Sequence, residues 1–442
     1  MRVALVSAEF APFAKAGGMG EVVTGLAREL TRTHHDVTVL LPRYSFLKLP
    51  QRRVEPGVYE VPGVGCRLHL LDIPGHWDKI YGYPDDATRF LLFARAAHQY
   101  LQRHPQEIVH LHDWHAAGVA LFTPRFPTLL TLHNLEYQGR CAPWDLEKVG
   151  LKPIPAMRDP VYPEAYNILK GAIALVDVVN TVSPSHAQEI LTPEAGWQLH
   201  DVLRAKRPVG ILNGLDIHLW DPATDPHIAA PYSTASSLAQ IGAAKQLNRT
   251  VLAERLGLDP NRRPWICAVT RLVPAKGPEY LLATAKKASE SGGTFLLLGT
   301  PLHPQLQKEL HGKIGLFVQF DYDEPLAHQL YAASDLVVVP SVYEPCGLNQ
   351  LIGLRYGTVP LVRPTGGLRD TIFDCADPRI PIDRRNGFVS PHSFPSTLDR
   401  VFETFKRDPH TFQTLIRRGM QEDHSWRDPA REYLKLYRSI RR

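Results

Sequence analysis

The chain has 442 residues, of which 44% are hydrophobic and 21% are charged. Because a single hydrophobic core stops growing at about 250–300 residues, this length predicts two domains. The formal net charge of +5 includes no dense lysine and arginine tract. Such a charge suits an anionic small molecule at least as well as a nucleic acid, and we expect no nucleic-acid partner. No run approaches about 18 apolar residues, so we expect no membrane partner either.

Cysteine usage and the N-terminus bear on the compartment. The odd number and wide spacing of the cysteines show no zinc-type pairing and favour reduced thiols. They are Cys66, Cys141, Cys267, Cys346 and Cys375. The apolar N-terminal run is short and is interrupted by Glu9 and Lys15, unlike a signal peptide. We therefore expect a cytoplasmic protein, or a mature stromal one if the source is a plant or alga. The sequence does not indicate an oligomeric state.

Strands and helices alternate through the first half of the chain. Residues 2–8 have the short, continuous apolar pattern of a buried parallel strand, and residues 19–33 carry a helical apolar stripe. A second strand is expected at 35–42. Further strands are expected at 107–113, 127–134 and 176–183. This alternation predicts a doubly wound α/β sheet.

The pattern restarts near residue 264, after a segment rich in turn formers at 211–226. The expected elements are a strand at 264–272, a helix at 278–292 and strands at 294–299, 315–320, 335–341 and 358–364. We predict an α/β protein with two Rossmann-like, doubly wound domains, residues 1–212 and 213–427, that face a deep interdomain cleft. A helix at 428–442 is expected to pack back on the N-terminal domain. Ligands of such sheets bind beyond the carboxyl ends of the strands.

The loop after the first strand, "SAEFAPFAKAGGMGEVV" (7–23), is longer than a connection to the next helix requires. It places Lys15 beside Gly17 and Gly18, just before a helix. Helix N-termini expose unpaired N–H groups, and glycines let an anion approach them. The loop therefore indicates half of a phosphate or sugar cradle, although a solvent-exposed lysine with turn glycines would show the same pattern. It matches neither a Walker loop nor G-x-G-x-x-G, which weakens a nicotinamide interpretation.

A second lysine-containing loop, "TRLVPAKG" (270–277), follows the first strand of the second half. Arg271 and Lys276 can together hold a pyrophosphate. Fixed cations there would stabilise the charge that a leaving phosphate gains in the transition state. The alternative is a pair of surface cations near a turn.

The segment "PSVYEPCGLNQLIGLRYGTVPLVRPTGG" (340–367) is the densest in candidate residues. Glu344 follows a strand, where a carboxylate can bind paired sugar hydroxyls. The helix starts after Glu344 and at Gly366 and Gly367 offer N–H groups to a phosphate. Alternatively, Glu344 is a helix N-terminal charge worth about 0.3–1 kcal/mol. No histidine is near Cys346 in sequence, which favours packing over a nucleophilic function.

Two patterns raise the possibility of a metal. In "HLHDWHAAG" (110–118), strand alternation places His110 and His112 on one face, where they could share an ion. Asp321 and Asp323 form an Asp-x-Asp, which holds metal in another class of sugar transferases. Spacing alone supports both weakly, and we predict no metal.

Taken together, the motifs resemble bacterial glycogen synthases and plant starch synthases, glycosyltransferase family 5. The matching pieces run in family order from residue 1 to about 390: "KAGGMGEVV", "HDWHA", "HNLEYQG", "TVSPSHAQEI", "ILNGLD", "TRLVPAKG", "YEPCGL", "PTGGL" and "NGF". The resemblance implies the two-domain GT-B fold. It implies retaining transfer of glucose from a nucleotide sugar, usually ADP-glucose, to the 4-hydroxyl of an α-1,4-glucan. No metal or other cofactor is expected.

The resemblance also implies functions for individual residues. Arg271 and Lys276 match the pair on the diphosphate, and Glu344 matches the acid that holds the donor sugar. His133 matches the histidine at the reacting glucose, and Asp113 an active-site acid. These five are the catalytic positions expected. The substrate-binding positions expected are Lys15, Gly17, Gly18, Glu21, Asn213, Tyr322, Cys346, Gly347, Leu348, Thr365, Gly366 and Gly367.

The chain departs from the family pattern at three places. Glu21 stands where the family usually has Asp. Residues 43–80 are compact where the family often has a longer insertion, and "LGTPLHP" (298–304) lacks the usual second glycine. These differences bear on acceptor length and on the nucleotide pocket.

Other functions remain open. The donor could be UDP-glucose, or the enzyme could be sucrose-synthase-like or of the trehalose type; "HDWH" and "HNLEYQG" favour glucan elongation. A glucan-binding scaffold without activity is a further alternative. The intact candidate residues argue against it.

Overall fold

The computed structural model of the chain describes residues 1–300, 316–319 and 321–441. The chain divides into two compact units: Met1–Gly214 together with Ser425–Arg442 form unit 1, and Leu215–His424 form unit 2. The chain thus leaves unit 1 after Gly214 and returns at Ser425, where the sequence predicted boundaries at 212 and 427. Both units are α/β, which confirms the predicted fold class.

Unit 1 is built on one large sheet. Its strands and a separate small strand pair are β1 Arg2–Val6, β2 Asp36–Pro42, β3 Arg52–Glu55, β4 Val58–Val61, β5 Arg67–Leu71, β6 Ile108–His112, β7 Thr128–Leu132, β8 Arg140–Cys141, β9 Tyr166–Asn167, β10 Val178–Thr181 and β11 Val209–Gly210. In the described part of the chain the large sheet has the order β11-β10-β7-β6-β1-β2-β5-β4-β3. From β11 to β5 all neighbours are parallel. The five strands predicted in this half are confirmed.

The edge formed by β3, β4 and β5 was not predicted from the sequence. β4 pairs antiparallel with both β3 and β5. β3 has the sequence RRVE and is mostly exposed. A short, charged edge strand carries no apolar alternation, so pattern reading misses it.

The helices of the first segment of this unit are α1 Gly18–Arg32, α2 Asp86–Arg103, α3 Asp113–Ala117, α4 Pro143–Glu147, α5 Ile168–Leu175, α6 Pro184–Glu189 and α7 His200–Lys206. The first helix shows why the pattern was readable. Val22, Val23, Leu26 and Leu30 are all buried on one face. That face packs on the sheet and directs the N-terminus of α1 toward the carboxyl end of β1.

Unit 2 has a fully parallel sheet. Its strands are β12 Trp265–Val269, β13 Thr294–Leu298, β14 Leu316–Gln319, β15 Leu336–Val339, β16 Val359–Val362 and β17 Phe388–Val389. Among the described residues their order is β14-β13-β12-β15-β16-β17. All pairings are parallel. The ends of the predicted strand at 315–320, and residues 301–304 of the divergent "LGTPLHP", lie outside the described residues.

The helices of unit 2 are α8 Leu238–Leu256, α9 Pro278–Glu290, α10 Glu324–Ala333, α11 Asn349–Arg355, α12 Gly366–Thr371, α13 Phe394–Arg407 and α14 Pro409–Gln421. In the part of the chain that is described, no helix is long and apolar enough to traverse a lipid bilayer.

The last helix, α15 (Arg427–Ile440), belongs to unit 1. It buries Ala430, Tyr433, Leu434, Tyr437 and Ile440, a spacing that forms one helical stripe. Trp426, just before it, packs so close to helix α1 that a Cβ on Gly25 would lie 2.0 Å from the indole nitrogen. Glycine at position 25 is therefore required for this packing.

Candidate functional site

In each unit, most of the predicted residues follow adjacent strands, with Asn213 and Tyr322 as exceptions. In unit 1 they follow β1, β6 and β7, which are neighbours in the sheet. In unit 2 they follow β12, β15 and β16, which are also neighbours. Neighbouring parallel strands end on the same side of a sheet. The residues that follow these strands therefore lie together at their carboxyl ends in each unit.

Lys15 lies on the loop between β1 and α1. Its Nζ is 2.6 Å from Oε1 of Glu21 in the first turn of α1, and both side chains are largely buried. The residue that differs from the family pattern, Glu21, is therefore the ion-pair partner of Lys15. A glutamate there reaches the ammonium directly.

Glu9, which the sequence did not single out, organises the same loop. Its Oε2 accepts hydrogen bonds from the N–H groups of Ala16 (2.8 Å) and Gly17 (2.9 Å). Its Oε1 accepts one from the hydroxyl of Tyr81 at 2.7 Å. The sequence indicated half of a phosphate or sugar cradle here; in the structure the Gly17 N–H donates to the carboxylate of Glu9. The sequence signal that could have identified Glu9 is an acidic residue within the otherwise apolar run "SAEFAPFA" (7–14).

This arrangement makes a testable prediction. Glu9→Ala removes the acceptor of two N–H groups and should let the Lys15 loop shift, lowering kcat about tenfold, or about 1.4 kcal/mol in barrier. Glu9→Gln keeps a carbonyl oxygen for both N–H groups and should retain most activity. Steady-state kinetics of both variants, with thermal melting as a folding control, will decide. Equal losses in the two variants would contradict this function of Glu9.

Asp113 follows β6 in a left-handed conformation, with φ of +57°. Its Oδ1 accepts hydrogen bonds from the backbone N–H groups of His133 (2.7 Å) and Asn134 (3.4 Å). It thus ties the end of β6 to the end of β7. Burial raises the pKa of Asp113 from 3.8 to about 7, despite the opposing effect of these hydrogen bonds.

The raised pKa predicts a specific pH dependence of stability. Between pH 4 and 7, Asp113 is protonated in the native protein but ionised in the unfolded chain. The free energy of unfolding is therefore highest at low pH and falls until the pH has risen through 7. Asp113→Asn should remove this dependence, by at most about 4 kcal/mol between pH 4 and 8. Asparagine also accepts the left-handed conformation. Urea unfolding of both proteins at pH 5 and 8 measures it; identical pH profiles would contradict the prediction.

His133 lies beside this carboxylate. Its Nε2 is 3.0 Å from Nδ1 of His112. Burial lowers the pKa of His133 to about 3, so its ring is neutral at physiological pH. A neutral imidazole can donate a hydrogen bond to a sugar hydroxyl without adding charge.

The histidines considered as metal ligands have other partners. His110 and His112 do share a face, with ring centroids 4.1 Å apart. However, His110 uses both ring nitrogens, toward the hydroxyls of Tyr437 (2.8 Å) and Thr131 (2.5 Å). The described residues contain no cluster of three or more histidine, cysteine or acidic side chains able to hold an ion.

In unit 2, Lys276 and Glu344 form a close ion pair. Nζ of Lys276 lies 2.6 Å from Oε2 of Glu344, and the two side chains are 19% and 12% exposed. Ser341 Oγ donates a further hydrogen bond to the same carboxylate oxygen at 2.8 Å. The N–H groups of Val342 and Tyr343 donate to the carbonyl of Ala275, which joins the two loops. These contacts hold two residues that are 68 positions apart in the sequence together as one ion pair.

Gly366 and Gly367 begin helix α12 against the loop of Glu344. A Cβ on Gly366 would lie 2.1 Å from the carbonyl oxygen of Glu344, and one on Gly367 would lie 2.2 Å from that of Cys346. The Gly367 N–H donates to the carbonyls of Glu344 and Pro345, each at 3.2 Å. The sequence assigned the Gly367 amide to phosphate binding; here it holds the Glu344 loop.

The neighbouring candidates shape the same loop. Cys346 is buried, in agreement with a packing function. Gly347 has φ of +78°, and a Cβ there would lie 2.5 Å from Oε1 of Gln350. Leu348 is the residue preceding α11, and the Thr365 hydroxyl donates to the carbonyl of Val342 at 3.4 Å.

Three further candidates are Arg271, Tyr322 and Asn213. Arg271 is exposed on the loop after β12. Tyr322 is 50% exposed between β14 and α10, toward the edge of the sheet. Asn213 is buried near the end of the first segment of unit 1, and within the described chain its Oδ1 has no hydrogen-bond partner.

Comparison with known proteins agrees with these motifs. The family model described as starch synthase catalytic domain matches residues 2–205, and that described as glycosyl transferases group 1 matches residues 263–395. The chain is 36% identical to the glycogen synthase of Protochlamydia amoebophila, covering 100% of this chain and 99% of that protein. It is 37% identical to the probable starch synthase 4 of Arabidopsis thaliana over 99% of this chain, and spans 47% of that protein's length.

Solved structures extend the comparison. The catalytic domain of starch synthase IV from Arabidopsis thaliana, bound to ADP and acarbose, superposes with a TM-score of 0.92 at 35% identity, covering 100% of this chain and 99% of that one. Sucrose-phosphate synthase from Thermosynechococcus elongatus, at 20% identity, superposes with a TM-score of 0.65 over 99% and 98% of the two chains and shares the fold.

Proposed function

Because the chain belongs to the family of glycogen and starch synthases, we propose that it elongates an α-1,4-glucan. It transfers glucose from ADP-glucose to the non-reducing-end 4-hydroxyl, retains the anomeric configuration and releases ADP. The observation that carries this proposal is the close Lys276–Glu344 pair at the carboxyl ends of β12 and β15. It offers a cation to a diphosphate and a carboxylate to sugar hydroxyls within one site.

The chemical step makes distinct demands on these residues. The bond between the anomeric carbon and the diphosphate oxygen breaks, and the leaving phosphate gains negative charge. Lys276, with Arg271, stabilises that charge, while Glu344 holds the hydroxyls of the glucosyl unit. The leaving phosphate takes the proton of the acceptor hydroxyl, which attacks from the same face. No metal or other cofactor enters the proposal.

Unit 1 supplies three of the residues proposed to take part in the reaction. His133 donates a hydrogen bond to it as a neutral imidazole. Asp113 acts through the backbone of β7, since its carboxylate accepts the N–H groups of His133 and Asn134. Lys15, paired with Glu21, adds a cation near the start of α1.

The donor is tested by measuring nucleotide release from ADP-glucose and from UDP-glucose on a glycogen primer. We expect kcat/KM to favour ADP-glucose by at least about tenfold, equal to about 1.4 kcal/mol. Equal rates, or a preference for UDP-glucose, would overturn the donor assignment. Glucan binding without release of either nucleotide would support the scaffold alternative instead.

A further inference from the structure

The proposed reaction leaves His112 and His110 of strand β6 without a function. Both side chains are fully buried, and their rings lie against each other. His112 contacts His133 directly, with Nδ1 of His112 at 3.0 Å from Nε2 of His133. One ring nitrogen of His133 is therefore already occupied by a buried neighbour.

The proton position on His110 follows from its partners. The Thr131 hydroxyl donates to Oδ1 of Asn180 at 2.6 Å. It must therefore accept the contact from His110 Nε2, which carries the proton. The other nitrogen, Nδ1, accepts from the hydroxyl of Tyr437 on helix α15. This series of hydrogen bonds holds the His110 ring in one orientation, and the His112 ring packs against it.

The proton position on His112 follows from its burial. Burial lowers the pKa of His112 well below its usual range, so the ring is neutral and has one N–H. In the described part of the chain, its Nε2 has no hydrogen-bond partner. A proton on Nε2 would be a buried donor without an acceptor, whereas a proton on Nδ1 leaves only an unused lone pair. Orphaned buried donors are the rarer of the two.

We propose that His112 is a positioning residue that donates its Nδ1–H to Nε2 of His133 and thereby fixes the proton of His133 on Nδ1. His133 then meets the glucosyl unit as a hydrogen-bond donor. Its Nε2 lone pair is occupied, so His133 does not serve as a general base through that atom. The inference deepens the proposed function, and it rests on that function for the identity of the sugar.

Kinetics of two variants separate this positioning function from packing. The amide nitrogen of His112→Asn can take the place of Nδ1, whereas His112→Leu has a similarly branched shape without a donor. We expect kcat/KM for ADP-glucose to fall at least about tenfold in His112→Leu and less than about threefold in His112→Asn, with KM for glycogen unchanged in both.

A matched control is available in the same unit. His98 on α2 is also buried, and its Nε2 donates to the carbonyl of Pro124 at 2.9 Å, on the approach to the amino end of β7. His98→Leu therefore replaces a buried, hydrogen-bonded histidine near the amino ends of the strands, away from their carboxyl ends where His133 lies. It should lower the melting temperature and leave kcat/KM unchanged. Equal activity losses in His112→Leu and His112→Asn, with melting shifts like that of His98→Leu, would overturn the positioning function.

The tautomer is read directly by long-range ¹H–¹⁵N NMR of protein labelled at histidine, with His133 assigned from the signals lost in His133→Gln. The expected spectrum places the proton on Nδ1 in the wild type and shows both tautomers in His112→Leu. A wild-type proton on Nε2 would overturn the proposal. If the wild type releases no nucleotide from ADP-glucose, the proposed function fails, while this spectrum still decides the tautomer.

Discussion

Glu344→Gln is expected to lower kcat by at least about 100-fold while the protein stays folded. The carboxylate of Glu344 accepts from both Lys276 (2.6 Å) and Ser341 (2.8 Å). Glutamine keeps the size and one acceptor oxygen but removes the charge that balances Lys276. In the proposed reaction, the substitution weakens the hydrogen bonds from residue 344 to the sugar hydroxyls. It also removes the charged partner of the Lys276 ammonium, which has to stabilise the leaving phosphate.

Lys276→Met should cause a loss of similar size, because the two residues act as one unit. For the same reason, the double variant should be little worse than either single one, as groups in one site are not additive. A fully additive double variant would show that the two side chains act independently. Either single variant with less than about a tenfold loss of kcat would contradict the functions assigned.

The matched control is Asp221→Asn. Asp221 pairs with Arg355 at 2.9 Å, and the side chains are 23% and 22% exposed, close to the values for the Lys276–Glu344 pair. Arg355 is the last residue of α11, whereas the Glu344 loop precedes the first residue of that helix. Asp221→Asn should cost a little stability and leave kcat unchanged. Kinetics and melting curves on the same preparations measure both effects.

Gly367→Ala is expected to lower kcat by at least about 100-fold and to cost about 1–3 kcal/mol of stability. The new Cβ would lie 2.2 Å from the carbonyl oxygen and 2.5 Å from the Cα of Cys346. Both are backbone atoms, so no side-chain rotation relieves the clash. The loop that carries Glu344 must move, and the hydrogen bonds from the Gly367 N–H to the carbonyls of Glu344 and Pro345 are lost with it.

Gly242→Ala provides the comparison. Gly242 lies within helix α8 of the same unit, and no described atom comes within 4 Å of a Cβ placed there. Alanine at an open helical position should stabilise the protein by about 0.5–1 kcal/mol and leave kcat unchanged. Urea unfolding and steady-state kinetics of both variants make the test. Wild-type stability and turnover in Gly367→Ala would show that the loop tolerates displacement.

Much of the fold could be predicted from the sequence because strands and helices show local patterns of apolar residues. Strands such as Trp265–Val269 are short apolar runs, and α1 carries its buried stripe at helical spacing. The lysine and glutamate loops were found for the same reason, since each directly follows such a strand. The charged edge strand Arg52–Glu55 was missed because its pairing depends on a neighbour and not on its own composition.

The sequence by itself determined two α/β units and placed Lys15, Lys276 and Glu344 at the ends of buried strands. Only the tertiary structure decided which partner each group takes. The Glu9 carboxylate accepts from the Gly17 amide, the Gly367 amide donates to the Glu344 loop, and His112 contacts His133. The last pairing depends on the register between β6 and β7. Such contacts are set by strand register and close packing, which a local pattern of residue types does not encode.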